Sequence, residues 1–293
     1  MVLPKIFLTI LLKFLNFFPL WILHFFSIFI GFVLFLTPNR LRSTTLINLG
    51  LCFPKRTRLN IQKFTLMSLI ETSKTLLESG KSWIYYPRKG IDSLVKVEGL
   101  AEIHKSLELG LGVIVFTPHL GNIEIIINYL ARNFGCTIPY TEIKISAAEN
   151  IVRKARQSMG ATMVKSSTSG VRSLLKTLKK GELVSVACDQ VPNEAGGIIS
   201  NFFGVPALSM SLVANLVNKT NCSCHSVACV RESGSRGFKI FFSKPLLGIG
   251  EADLQKGVNL MNIELEKCIM KAPEQYAWEY KKFKHSIFEN PYK

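Results

Sequence analysis

Residues 112–124 read G-V-I-V-F-T-P-H-L-G-N-I-E. Residues 113–116 form an apolar run without polar alternation, the pattern of a strand buried on both faces of a parallel sheet. Thr117-Pro118 ends the run and His119 follows at once. Gly121-Asn122 then opens a helix-like segment that carries Glu124, five positions after the histidine. Open α/β sheets place their sites in the loops at strand carboxyl ends. An imidazole presented there, with a carboxylate at the following helix start, is a general-base pattern. The carboxylate holds the ring in one tautomer and stabilises the imidazolium that forms when the base takes a proton.

Short apolar runs alternate with helical stretches on both sides of this segment. A helical periodicity over 60–83 is followed by a strand at 94–97, a helix at 100–109 and a helix at 122–134. The alternation continues with a helix at 147–159, strands at 162–164 and 183–188 enclosing a helix at 171–178, and a helix from Pro206 to about Lys219. Runs 226–230 and 238–242 flank a Ser-Gly-Ser-Arg-Gly turn and read as a hairpin, and a last helix covers 253–270. This order predicts an α/β fold with a mixed central sheet flanked by helices.

The chain has 293 residues, with 36 Lys or Arg against 20 Asp or Glu, for a net charge of +16. Such a balance points to an anionic partner. No acid precedes Glu71, while eight basic residues do. Within that stretch residues 6–36 are nearly all Leu, Ile and Phe, interrupted by Lys13, Asn16, Pro19 and His24. A helix over 20–36 is roughly 26 Å long at ~1.5 Å per residue, at the short end for a membrane span. No small-x-small cleavage site follows, which argues against a signal peptide. Arg40, Arg42, Lys55, Arg56 and Arg58 place the following chain on the cytoplasmic side by the positive-inside rule. The expectation is an uncleaved N-terminal hydrophobic membrane anchor, either spanning or lying in one leaflet.

Seven scattered cysteines fit a reducing compartment better than a disulfide framework. Cys222 and Cys224, although next to His225, lack a second ligand pair at zinc-like spacing and read as core residues. Asp189-Gln190 closes another strand. A Gly-rich polar stretch at 193–200 reads as a substrate loop, and Phe202-Phe203-Gly204 either packs beneath it or lines an acyl channel. Arg156, on a helix with Arg153 and Lys154, belongs to a solvated basic face or to a phosphate clamp. Tyr276 and Trp278 precede Lys281, Lys282 and Lys284, a combination suited to lipid headgroups. The chain has no nucleophile elbow, no Walker A sequence and no dinucleotide fingerprint. No basic run interleaves with aromatics in the manner of a nucleic-acid module.

In this order the segments resemble the late lauroyl/myristoyl acyltransferases of lipid A biosynthesis, relatives of the glycerophosphate acyltransferase superfamily. The resemblance covers nearly the whole chain. It runs from the apolar N-terminal region through Asn48-Leu49, Cys52-Phe53-Pro54 and Val97-Glu98-Gly99 to the His119–Glu124 segment. It continues through Asp189-Gln190, Phe202-Phe203-Gly204-Val205-Pro206-Ala207 and Pro273-Glu274-Gln275-Tyr276-Ala277-Trp278. Ile123 stands where the family usually has Trp, a change of packing. Glu279-Tyr280-Lys281-Lys282-Phe283-Lys284 replaces the usual His-Arg-Arg-Phe-Lys, which weakens phosphate contacts there.

The resemblance implies a glycerophosphate-acyltransferase-like fold with a membrane anchor over 1–37 and a cytoplasmic acyltransferase domain over 38–293, at the bacterial inner membrane. It implies transfer of a fatty acyl group from acyl carrier protein to a hydroxyl of a lipid A precursor, a Kdo-bearing tetra- or penta-acylated disaccharide. His119 would be the base and Glu124 its partner. Asn122, Arg156, Asp189, Gln190, Phe203 and Gly204 would bind substrate, with backbone amides near Gly121-Asn122 for the oxyanion. No metal and no cofactor are implied beyond the acyl-acyl carrier protein donor. The implied partners are acyl carrier protein, the phosphorylated precursor and the anionic inner-membrane surface, with no nucleic acid. A lysophospholipid or phosphatidylinositol mannoside as acceptor, or a non-catalytic membrane-anchored basic binding protein, are the other readings.

Overall fold

In the computed structural model, residues 2–141, 146–251, 253–285 and 290–293 are described. The strands are β1 Val95–Glu98, β2 Val113–Thr117, β3 Cys136–Tyr140, β4 Ala161–Lys165, β5 Leu183–Ala187, β6 Gly197–Phe202, β7 Val205–Met210, β8 Ser223–Arg231 and β9 Phe238–Phe242. The helices are α1 Val2–Phe17, α2 Leu20–Leu36, α3 Arg40–Cys52, α4 Arg58–Gly80, α5 Tyr86–Lys89, α6 Leu100–Glu108, α7 Ile123–Phe134, α8 Ser146–Ser158, α9 Thr168–Lys179, α10 Leu212–Thr220 and α11 Leu254–Ile269.

Strand β2 is central because both of its faces are apolar. Ile114 and Phe116 pack into one core with Val184, Val186, Leu178 and Leu265, while Val113 and Val115 enter the other with Ile125, Leu130 and Ile240. Each of these four β2 side chains is fully buried, worth about 2 kcal/mol apiece. The seven-stranded sheet has the order β1-β9-β8-β2-β5-β3-β4. Its pairings are parallel except for the antiparallel β8–β9 hairpin, in agreement with the mixed sheet read from the sequence.

One strand lies where none was expected, and two local expectations are corrected. Residues 136–140 form β3, which pairs with β4 although Pro139 removes one donor. The segment from Pro206 opens as strand β7 rather than as a helix, and α10 begins only at Leu212. The polar stretch 193–200 is no open loop, because Glu194–Gly196 forms a 3-10 turn and the second half belongs to β6, paired with β7 in a separate two-stranded sheet. Phe203 and Gly204 form the connecting turn with φ of 50° and 76°, left-handed values typical of a two-residue hairpin turn.

The N-terminal helices pack onto α4. Leu20, Leu23, His24, Ser27 and Gly31 form the buried stripe of α2. A Cβ on Gly31 would meet Ile70 Cγ1 at 2.4 Å, so glycine is what lets the two helices touch. The opposite face of α2 is open and apolar, with Trp21, Phe25, Phe29 and Leu36 each more than 60% exposed. Among the described residues no single helix is long and apolar enough to cross a membrane. The α2–α3 pair passes that test only together and is bent by 82°.

Candidate active site

Register builds the site. Strands β2 and β5 are parallel neighbours with Thr117 opposite Ala187. Two residues beyond each partner lie His119 and Asp189, side by side at the carboxyl ends of the sheet. The Asp189 carboxylate is buried and takes two hydrogen bonds from the histidine: Oδ1 lies 2.7 Å from ring Nδ1, and Oδ2 accepts the backbone N–H at 2.9 Å. Nδ1 therefore carries the proton and Nε2 is left as the basic nitrogen. The Gln190 amide nitrogen lies 3.4 Å from Nε2. Burial lowers the His119 pKa, but the Asp189 charge and hydrogen bond outweigh it, and the net shift is upward. Burial raises Asp189, whereas the histidine ring and N–H bring it below its ordinary value.

Glu124 makes no hydrogen bond to the ring. It sits in the first turn of α7 and is held by Arg156 of α8, with Nη2 at 2.7 Å from Oε1 and Nε at 3.1 Å from Oε2. The partner that orients His119 is thus Asp189, correcting the expectation for Glu124. Nor is Arg156 a free phosphate clamp, since two of its nitrogens are committed. Burial acts to lower the Arg156 pKa, but the Glu124 carboxylate raises it overall.

The loop between β2 and α7 is held from below by the C-terminal segment. Gly121 N–H donates to Gln275 O at 2.9 Å and Ala277 N–H to His119 O at 3.0 Å, around a bridge between Leu120 and Tyr276. The Gly121 amide is therefore unavailable as an oxyanion donor. Gly121 has φ of 60°, and a Cβ there would lie 2.3 Å from Cys229 O. Asn122 caps α7 through Glu124 N–H and donates its own amide to Glu78 and Ser82, so it braces the loop from a buried position. Tyr276 and Trp278, expected at lipid headgroups, are buried beneath the site. Asn48 explains its place in the motif series by donating to Trp278 O at 2.6 Å and Tyr280 O at 2.8 Å. Lys282 is buried too, 5.1 Å from the Phe202 ring centroid, and burial pushes it down to about 8.

Beneath the loop lies a charge network absent from the sequence reading. Arg231, at the end of β8, donates to Glu78 through Nε at 2.7 Å and Nη2 at 2.9 Å, and to Glu71 through Nη1 at 2.8 Å. His24 of α2 approaches the same Glu78 at 2.6 Å. Burial would raise Glu78, but Arg231 and His24 hold it down at about 2. The network ties α2, α4 and β8 to the base-carrying loop, which Arg231 also reaches through Gly121 O at 3.3 Å.

Two cavities meet at His119 and Ile123. One, of about 780 Å³, is mixed, lined by Arg153, Arg156, Lys165 and Gln190 together with Ile138, Met163 and Leu174 among others. The other, of about 360 Å³, is largely apolar and runs toward α4 past Leu76, Trp83 and Ala277. Phe203 and Gly204 line neither, because Phe203 stacks with Phe53, Phe202 and Trp278. Cys222, just before β8, and Cys224 within it are both buried, and all seven cysteines are free thiols. Among the described residues no group of three metal-ligating side chains is found.

The imidazole at the end of β2 thus opens onto both cavities. The family model described as bacterial lipid A biosynthesis acyltransferase matches residues 3–285, and the chain belongs to that family. It is an acyltransferase. The lipid A biosynthesis palmitoleoyltransferase of Escherichia coli K12 is 25% identical over 238 residues, covering 81% of this chain and 76% of the relative. The lauroyltransferase of the same organism is 26% identical over 246 residues, covering 81% and 77%. A Shigella flexneri lipid A biosynthesis acyltransferase is 25% identical over 238 residues, covering 81% and 76%.

Proposed function

We propose that the enzyme transfers a fatty acyl group from acyl carrier protein to a hydroxyl of a phosphorylated lipid A precursor, the Kdo-bearing tetra- or penta-acylated disaccharide. His119 Nε2 takes the hydroxyl proton as the oxygen attacks the thioester carbonyl. The carbon–sulfur bond then breaks, and the thiolate recovers that proton from the imidazolium. Asp189 fixes the tautomer and offsets the imidazolium charge. A thioester is already activated, so no enzyme nucleophile, metal or cofactor is needed. The larger cavity, with Arg153, Arg156 and Lys165 in its wall, suits the charged sugar part. Gln190 is the side chain placed to meet the developing oxyanion.

The open apolar face of α2 and the acid-free, basic first 70 residues suit the anionic cytoplasmic face of the inner membrane. Residues 1–37 act there as an anchor that lies along α4. A chain with a net charge of +16 also steers the acidic carrier protein.

The observation that carries this reading is the His119–Asp189 pair where a largely apolar cavity meets a wider one that carries basic side chains. Its test is transfer from a series of acyl carrier protein thioesters to the tetra-acylated precursor, followed by mass spectrometry. A mass increase of one acyl group from at least one donor is expected. Transfer to lysophospholipid instead would replace the acceptor, and transfer to neither would overturn the reading.

A further inference from the structure

One stretch of the chain, residues 150–181 between Glu149 and Glu182, holds eight Lys or Arg and no Asp or Glu. Helix α9 lies within it. Gly170, Leu174, Thr177 and Leu178 form its buried face, and Thr168, Ser169, Arg172, Ser173, Lys176 and Lys179 are exposed. Arg172, Lys176 and Lys179 stand at i, i+4 and i+7, so they make one stripe, roughly 10 Å long at ~1.5 Å per residue. Like charges at this spacing cost a helix stability. Elsewhere exposed lysines are paired: Lys96 meets Glu232, Lys256 meets Glu251 and Lys267 meets Glu264. Among the described residues the three cations of α9 make no ion pair, and Lys180 just beyond them reaches Glu182 only at 3.8 Å.

Two features define what the stripe meets. It exposes no large apolar side chain, whereas the open side of α2 exposes Trp21, Phe25 and Phe29 and is the face built for a lipid surface. The start of α9 also lies at the site, because Thr168, Gly170, Val171 and Leu174 line the larger cavity, which opens onto His119. Those four residues are uncharged, while the basic lining of the cavity comes from Arg153 and Arg156 on α8 and Lys165 at the end of β4. The α9 wall suits an uncharged arm that carries a thioester, and the α8 wall suits a charged acceptor.

We propose that the stripe of Arg172, Lys176 and Lys179 is the docking surface for an acidic helix of the acyl carrier protein, which it holds at the α9 edge of the larger cavity. A partner helix with carboxylates one and two turns apart matches the stripe along its whole length. Exposed charges of this kind steer encounter and fix register. The inference rests on the acyl-transfer reading for the identity of the partner and adds where that partner sits.

The test is the charge reversal Arg172→Glu/Lys176→Glu/Lys179→Glu beside the neutral variant Arg172→Gln/Lys176→Gln/Lys179→Gln, with circular dichroism and thermal unfolding to check that each is folded. The KM for the acyl carrier protein thioester that the enzyme uses is expected to rise about tenfold or more in the reversal and about threefold in the neutral variant, which carries the test alone if the reversal does not fold. Acceptor KM, kcat at saturating donor and flotation with anionic vesicles are expected to stay within about twofold of wild type. Added salt raises the donor KM of wild type and no longer raises it in the reversal. A donor KM within about twofold of wild type in the folded variants overturns the proposal. Lost flotation or a raised acceptor KM at unchanged donor KM overturns it too, by giving the stripe to the membrane or the acceptor. Wild type without transfer from any donor removes the acyl-transfer reading instead, and the fluorescence anisotropy of labelled carrier protein then decides. Binding that weakens in the reversal supports the docking surface. Equal binding, or tighter binding of a single-stranded oligonucleotide than of the carrier by wild type, overturns it.

Discussion

Replacing Arg231 by Met keeps much of the side-chain volume and removes the cation from a site where Glu78 is fully buried. Arg231 lowers Glu78 from its ordinary 4.5 to about 2, with help from His24. At about 1.4 kcal/mol per pH unit, that depression stabilises the fold by about 3 kcal/mol at neutral pH. Removing one partner of a buried pair typically costs about 3–5 kcal/mol, so both routes give the same size of effect. The sign with pH follows from the depressed value. The stabilisation is fully present above 4.5, where the unfolded carboxyl is ionised, and is lost as pH falls toward 2. The assay is equilibrium urea unfolding in detergent micelles, read by tryptophan fluorescence at several pH values. The gap between wild type and Arg231→Met is expected near 3 kcal/mol at pH 7, narrowing steadily below pH 4.5. The double variant Glu78→Met/Arg231→Met is expected to lose less than Arg231→Met alone, because no bare carboxylate is left behind. A gap under about 1 kcal/mol, or one constant with pH, would show that the network does not act as described.

Asp189→Asn is expected to lower kcat by about a hundredfold or more while acceptor KM changes little, since the ring loses its tautomer and its counter-charge. Because Asp189 raises His119 above its ordinary 6.5, the acid limb of kcat/KM in wild type lies above that value and moves down in the variant; an unmoved limb contradicts the assignment. Gly31→Leu forces a side chain into Ile70 and is expected to destabilise by about 1–3 kcal/mol. Gly50→Ala, with open space around it in α3, is expected to stabilise by up to about 1 kcal/mol, and urea midpoints check both. Phe25→Glu/Phe29→Glu places two charges on the open face of α2 and is expected to cut flotation with anionic vesicles severalfold; unchanged flotation removes that face as the membrane contact.

The alternation of strands and helices was legible because β2 is apolar on both faces and β8–β9 is joined by a Gly-rich turn. Strand β3 escaped because Pro139 argues against a strand, and the sheet accommodates it where pairing with β5 is limited to Thr137 and Val184. Pro206 was read as a helix start, a common place for proline, yet a two-stranded sheet tolerates it equally well. His119 could be found from its place after a buried run. Its true partner could not, because Asp189 lies 70 residues on and only the β2–β5 register brings the two together. Nearness in sequence favoured Glu124, but its position in the first turn of α7 hands it to Arg156. The C-terminal aromatics read as surface anchors because the pairing of Gln275 and Ala277 with the histidine loop is a long-range contact with no local signature.

The central claim is that His119 Nε2 is the base that activates the acceptor hydroxyl. Single-turnover acyl transfer by folded, membrane-bound wild type and His119→Ala, with saturating donor and acceptor, tests it most directly. Transfer slowed by about a hundredfold or more with both substrates still bound is the expected result. Transfer at the wild-type rate in His119→Ala would contradict it.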